Sequence, residues 1–171
     1  MNGRIKIIDD SPQIRAALPE DLGTILNVEQ SAFPPNRQAS LDTFRNRLEL
    51  FPQGFLVVEQ DGTIIGFETS LLTLDMRSLR ELDQPDEMIH TSSGIVYYLR
   101  SLAIQKEFQR RGIGKALTDE ALKLAKALNK KVFRLTAARD VEQFYTKLGF
   151  QRITEYQDFH GIPQAIWELK L

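Results

Sequence analysis

Gln109-Arg110-Arg111-Gly112-Ile113-Gly114-Lys115-Ala116 follows a strand-like run, Ile95 to Ile104, and opens a helix pattern. Strand, glycine-rich turn and helix in that order make an anion site. The first N–H groups of a helix have no internal partner and lie at the positive end of its dipole. Glycine lacks the Cβ that would hold a ligand away from that backbone. Arg110, Arg111 and Lys115 form a local basic spot in a chain of net charge −1. With the glycine turn beside it, phosphate contact is favoured over a merely solvated helix end.

The spacing is not that of a P-loop, which reads GxxxxGK followed by Ser or Thr. Here Ile113 alone separates Gly112 from Gly114, and Ala116 follows Lys115, so no hydroxyl stands where Mg²⁺ would be held. A dinucleotide fingerprint is also a poor match. Leu117 occupies the place of its third glycine or alanine, and residues 106–111 separate the strand from the turn.

Outward from this turn, Ile113 to Leu128 carries an apolar stripe of Ala116, Leu117, Ala121, Leu124, Ala125 and Leu128, whose alanines allow close packing on a sheet. Val132 to Thr136 reads as a fifth strand, Val141 to Leu148 as a helix ended by Gly149, and Phe150 to Tyr156 with Gln164 to Leu169 as a closing strand pair. Upstream, Ile14 to Leu18 reads as a strand and Asp21 to Ala32 as a helix stopped by Phe33-Pro34-Pro35. Ser40 is the N-cap of a second helix through Phe51. Gly54 to Gln60 and Thr63 to Leu72 flank Asp61-Gly62, a two-residue hairpin signal. Residues 73–93 are polar and irregular apart from a helical turn at Met76 to Leu82, and they are expected to supply acceptor selectivity and mobility. Strand, crossover helix and strand around the glycine turn imply one parallel pair in an otherwise antiparallel sheet.

At 171 residues the chain has the size of one domain, read here as residues 13–171 after an extension, Met1 to Pro12, with an added strand at Arg4 to Ile8. Hydrophobic residues at 42% and charged residues at 26% suit a globular core. A pI near 6.2 gives no electrostatic footprint for nucleic acid. The absence of cysteine excludes disulfides, zinc thiolate sites and a sulfur nucleophile. The opening residues lack the apolar region of a signal peptide and no stretch is long enough to span a bilayer, so cytoplasmic residence without a membrane partner is expected.

Gln109, Gly112 and Gly114 resemble the acetyl-CoA loop of the GNAT superfamily of N-acetyltransferases. Two further stretches extend the likeness. Leu99-Arg100-Ser101-Leu102-Ala103-Ile104 resembles the fourth strand of that family, which splays from its neighbour and offers backbone groups to pantetheine, and Phe144-Tyr145-Thr146-Lys147-Leu148-Gly149-Phe150 resembles its tyrosine-bearing helix end. The likeness runs from about Ile14 to Leu169, and Glu29-Gln30-Ser31-Ala32-Phe33-Pro34 with Phe51 to Val57 is similar to the arylalkylamine N-acetyltransferase branch and its bacterial relatives. That branch carries paired histidines on the fourth strand, where Tyr98 and Arg100 stand here, a departure that bears on its proton relay and its aromatic amine specificity. The resemblance implies an α/β (α+β) fold with a mixed, mostly antiparallel sheet of six to seven strands, strands 4 and 5 parallel and splayed, and about four flanking helices.

It also implies acetyl-CoA as cosubstrate without a metal. Leu102, Ala103 and Ile104 would hold the pantetheine arm, Arg110, Arg111, Gly112, Ile113, Gly114 and Lys115 the pyrophosphate, and Tyr145 would protonate the leaving thiolate. Ala138 stands where many members carry an asparagine toward the CoA arm, a contact that is missing here or replaced by Arg139. The fourth strand has no carboxylate, so the amine proton must leave through Glu29, Glu68, Tyr98, His90 or water. Phe33 and Pro34 would wall the acceptor site and Arg100 points to a carboxylate on the acceptor. Phe144 and Tyr145 as core aromatics, the glutamates as surface acids, and His90 and His160 as surface residues are the plainer alternatives. The residues are compatible with three functions. They are transfer to a small-molecule amine, a CoA-binding sensor or partner protein with little catalysis, and acetylation of protein N-termini or lysines. Exposed sheet edges at the C-terminal strands would suit a homodimer.

Overall fold

The computed structural model describes residues 11–76, 78–82, 84–157 and 161–171; the expected strand at Arg4 to Ile8 and His160 lie outside them. Along the chain the elements are β1 (Gln13–Ala16), α1 (Leu22–Ala32), α2 (Leu41–Leu50), β2 (Phe55–Gln60), β3 (Thr63–Thr73), α3 (Leu79–Leu82), α4 (Asp86–Ile89), β4 (Val96–Ile104), α5 (Ile113–Ala127), β5 (Val132–Ala138), α6 (Glu142–Lys147), β6 (Gln151–Gln157) and β7 (Pro163–Lys170). The seven strands form one sheet in the order β1-β2-β3-β4-β5-β7-β6. Every neighbouring pair is antiparallel except β4 with β5.

Local chemistry sets most of the boundaries. Ser40 Oγ accepts the Thr43 N–H at 3.1 Å and caps α2, a contact worth about 1 kcal/mol. The β2–β3 turn places Asp61 and Gly62 at φ 52° and 72°, the paired positive values of a type I′ hairpin. β5 runs two residues beyond its predicted end because Ala137 and Ala138 pair with Ala165 and Gln164 of β7. The predicted turn at Met76 to Leu82 narrows to α3, and α4 is a second single turn, opened by Pro85, too short to leave a helical period in the sequence.

The helices cover the two faces of the sheet. α1, α2 and α4 pack on one face, with Ile25, Val28, Phe44, Phe55, Val57 and Phe67 in the core beneath. α5 and α6 pack on the other over Ile65, Tyr97, Leu99, Phe133 and Leu135. β6 is an outer edge strand and mostly exposed.

The parallel ladder of β4 and β5 runs only from Val96–Val132 to Leu99–Leu135. Past that point β4 stays paired with β3 as far as Ile104–Gly66, and β5 stays paired with β7 as far as Ala138–Gln164. The two strands therefore part as a fork, each held by its outer neighbour. At the parting, Thr69 faces Ser101 and Ser70 faces Leu99, which makes Arg100 the extra residue of a β-bulge.

One core group is out of keeping with its surroundings. Glu68, on the α5 face of β3, is 0% exposed. Its Oε1 accepts from Ser70 Oγ at 2.5 Å and from the Tyr97 hydroxyl at 3.5 Å, while Oε2 has no hydrogen-bond partner among the described residues. Loss of water pushes its pKa up to about 8, against the two donors that favour the ionised form. An acid with a raised folded-state pKa binds more protons folded than unfolded, so it lowers stability as pH climbs from the ordinary carboxylate range toward 8. Glu68→Gln removes that titration. Thermal unfolding of both proteins at pH 5 and pH 9 should show the variant gaining on the wild type at the higher pH; an equal difference at both values would mean that Glu68 titrates normally.

Candidate acyl-CoA and acceptor cleft

A cleft of about 500 Å³ enters the sheet at the fork. From β4 come Leu99, Arg100, Ser101 and Leu102, and from β5 Thr136, Ala137 and Ala138. Gln109 and Tyr145 close one side and Glu29, Phe33 and Pro34 the other, so the cleft joins the α5–α6 face of the sheet to the α1–α2 face. Eight of the residues singled out from the sequence thus meet in one cavity: Glu29, Phe33, Pro34, Arg100, Leu102, Gln109, Ala138 and Tyr145.

The backbone of β4 beyond Leu99 has no strand partner on the β5 side, which leaves main-chain donors and acceptors facing the cleft. Leu102 and Ile104 turn their side chains to the α5 core while Ala103 packs under α1. The turn before α5 is shaped by two left-handed residues, Arg110 at φ 62° and Gly112 at φ 82°. A non-glycine residue held there costs on the order of 1 kcal/mol. Gly112 is the helix N-cap and has no side chain to bond the first turn, so among the described residues the N–H groups of Ile113, Gly114 and Lys115 are left for an anion. Ile113 is a buried anchor of the turn. Arg111 lies 5.3 Å above the Phe108 ring, and Lys115 Nζ pairs with Asp119 at 2.6 Å. Gln109 Nε2 donates to the Ile104 carbonyl at 3.0 Å and ties the turn to the end of β4. A Cβ on Gly114 would meet nothing nearer than Phe144 Cζ at 3.6 Å. The free protein therefore has room for alanine there. These features fit an acyl-CoA, with unpaired strand backbone for an amide-bearing arm and uncapped helix N–H groups for phosphate.

Tyr145 is buried, its ring against Phe144, Phe150 and Trp167. Burial raises the phenol well above its ordinary pKa and the charge of Glu68 adds to the effect, so the hydroxyl keeps its proton throughout the physiological range.

Glu29, at the end of α1, is 2% exposed. Oε1 accepts the Ala39 N–H at 2.9 Å. Oε2 is buried without a hydrogen-bond partner among the described residues. Burial pushes the carboxyl above its usual range, opposed by the Ala39 bond and the positive charge of Arg47.

Tyr98, Glu68, His90 and Arg139 lie off the cleft wall, and Arg100 lines it with its guanidinium engaged by protein groups. Tyr98 is buried on the α2–α4 face, its hydroxyl 3.4 Å from Thr136 Oγ1 and 3.4 Å from Arg100 Nη1. Glu68 sits in the core beneath the sheet. His90 Nδ1 accepts the Leu72 N–H at 3.3 Å, and burial lowers its pKa. Arg139 is turned to Glu155 at 3.1 Å. Arg100 is engaged by Asp86, 2.8 Å from its Nε, and by the Leu82 carbonyl at 3.0 Å. Sequence reasoning missed Arg37, Ser101, Thr136, Asp140 and Gln164 as cleft residues. Arg37 shares the loop of Phe33 and Pro34 and was open to the same argument, whereas Thr136 and Gln164 reach the cleft only through strand register.

No helix among the described residues is long and apolar enough to cross a membrane, and no cluster of three metal-ligating side chains occurs among them. Comparison with known proteins agrees with the geometry. An uncharacterized N-acetyltransferase of Bacillus subtilis, YkwB, is 23% identical over 142 residues, which are 77% of this chain and 62% of that protein, so the match spans less than two thirds of its length. An N-alpha-acetyltransferase of Sulfurisphaera tokodaii is 24% identical over 154 residues, 87% of this chain and 86% of that one. The loading GNATL domain of CurA from Lyngbya majuscula superposes with a TM-score of 0.81 at 17% identity, covering 94% of this chain and 98% of that one. The profile of the acetyltransferase (GNAT) domain matches residues 23–171, and the chain belongs to that family.

Proposed function

We propose that this chain is an acetyl-CoA-dependent N-acetyltransferase that moves an acetyl group directly to a primary amine of a small molecule within a ternary complex. The observation that carries this reading is the cleft through the fork, with a protonated phenol at one wall and, at the other, a buried carboxyl with one oxygen unpartnered among the described residues. Acetyl-CoA supplies an activated thioester: the amine nitrogen adds to its carbonyl carbon, the C–S bond breaks, and the thiolate needs a proton while the nitrogen loses one. Tyr145 is suited to donate to the developing thiolate. Glu29, its pKa raised toward neutrality, is suited to receive the amine proton at Oε2. An N–H of β4 at Leu102 to Ile104 would face the thioester oxygen as a single oxyanion donor. With no cysteine to carry the acetyl group, both substrates would be bound at once and much of the rate would come from positioning.

An unpartnered carboxylate oxygen favours an acceptor-binding enzyme over a CoA sensor, which would have no use for it. A peptide N-terminus is the second reading for the acceptor. A polar groove of about 670 Å³, lined by Ser40, Asn46, Gln84 and Glu87, adjoins the cleft at Arg100 and would receive the chain beyond the amine. The N-alpha-acetyltransferase relative points the same way. Two copies, if they associate, would meet at the free β6 edge.

Thiol release from acetyl-CoA, measured against arylalkylamines, polyamines, amino acids and peptide N-termini, tests the reading and separates the acceptors. Acetyl-CoA binding without turnover on any amine would return the chain to a sensor, and a trapped acetyl-enzyme would exclude direct transfer. Gly114→Glu should leave the melting temperature near that of the wild type and weaken acetyl-CoA binding, because a carboxylate beside the first helix N–H groups repels phosphate; calorimetry decides it. Tyr145→Phe and Glu29→Gln should each lower kcat by about 10²-fold with acetyl-CoA affinity preserved. A base must be deprotonated to work, so wild-type activity should fall as pH drops through the Glu29 pKa, and Glu29→Gln should lose that limb of the profile.

A further inference from the structure

Beneath the acceptor side of the fork, one carboxylate joins two arginines. Asp86, on α4, is buried at 5% exposure. Its Oδ2 accepts from Arg47 Nε at 2.6 Å, and its Oδ1 lies 2.8 Å from Arg100 Nε in a contact of charge without hydrogen-bond alignment. Arg47 comes from α2 and is itself buried. Its Nη1 donates to Thr69 Oγ1 at 3.1 Å and to Ser101 Oγ at 3.0 Å. Those two residues are the cross-strand pair that closes the bulge, and Arg100 is the residue the bulge extrudes. Arg100 Nη1 also lies 3.4 Å from the Tyr98 hydroxyl, which in turn lies 3.4 Å from Thr136, the first β5 residue beyond the parting.

The chain of contacts thus runs from β5 through Tyr98, Arg100, Asp86 and Arg47 to β4 and β3, and it brackets the point where the ladder ends. A bulge leaves one strand residue without a cross-strand partner and free to slip. Charges buried on both sides of it, each needing the other, fix which residue is extruded.

We propose that Asp86 is a positioning residue that sets the β4–β5 fork by locking Arg47 and Arg100 on either side of the bulge. Asp86 touches no reacting atom in this arrangement. It acts through the two arginines on the backbone of residues 100–104. The consequence for acyl-CoA rests on the reading of the fork as its site; the consequence for the fork itself does not.

Two readouts separate these. Hydrogen exchange in the ligand-free protein, followed over residues 99–105 and 135–138, should be several-fold faster in Asp86→Asn and in Arg47→Lys, with β7 unchanged. Arg47→Lys keeps one charge for Asp86 and cannot span Thr69 and Ser101 as well. Calorimetry with acetyl-CoA should show binding weakened by about tenfold in both, with Asp86→Glu recovering part of it. Should either variant fail to fold, Ser101→Ala deletes a single hydroxyl, keeps both ion pairs and should show the same local exchange at smaller amplitude. Wild-type exchange at the fork in the folded variants, or acceleration spread evenly over the sheet, would overturn the proposal. Local acceleration in a protein that does not bind acetyl-CoA would leave the positioning role standing and remove the cosubstrate reading instead.

Discussion

The parting of β4 from β5 is the constraint on which the remaining features depend. A sheet gains its stability by pairing every interior strand on both sides, and here two interior strands forgo several ladder bonds past Leu99 and Leu135. Such a gap in a core would cost about 1–3 kcal/mol for each buried group left unpaired. It persists because β3 and β7 hold the diverging strands from outside and because the exposed groups open into a cleft where water or a ligand can satisfy them.

The charges around this gap follow from the same geometry. Cleft and core bring carboxyls into places with little water, and their protonation is then set by which donors reach them. Glu29 has one backbone N–H and the field of Arg47, Glu68 has two hydroxyls and, among the described residues, no cation, and Asp86 has two guanidinium groups. Desolvation dominates in the first two. Asp86, held between two arginines, is a junction between elements. Arg100 belongs to that junction, which is why its guanidinium is already committed to protein groups within the structure.

Sequence alone located the loop and the frame around it. The glycine turn, the stripe on α5, the Ser40 cap and the Asp61-Gly62 hairpin are written in residues a few positions apart, where φ preference, capping and periodicity act directly. Phe33 and Pro34 as a cleft wall and Tyr145 beside it came from a resemblance in motif order, and the fork brings both to one cavity. Residues 73–93, irregular in the sequence, supply Asp86 to the packed base of the fork.

What the sequence by itself determined, then, is most of the elements, the parallel pair and the glycine turn that opens one helix, because each rests on local geometry. Which acids keep water, which lose it and which find a cation was decided by the tertiary structure. Arg47 meets Asp86 across 39 positions and Ser101 across 54, and Glu68 is stranded in the core only because β3 turns that face toward α5. Burial and long-range pairing fix protonation and position, and neither leaves a pattern in neighbouring residues.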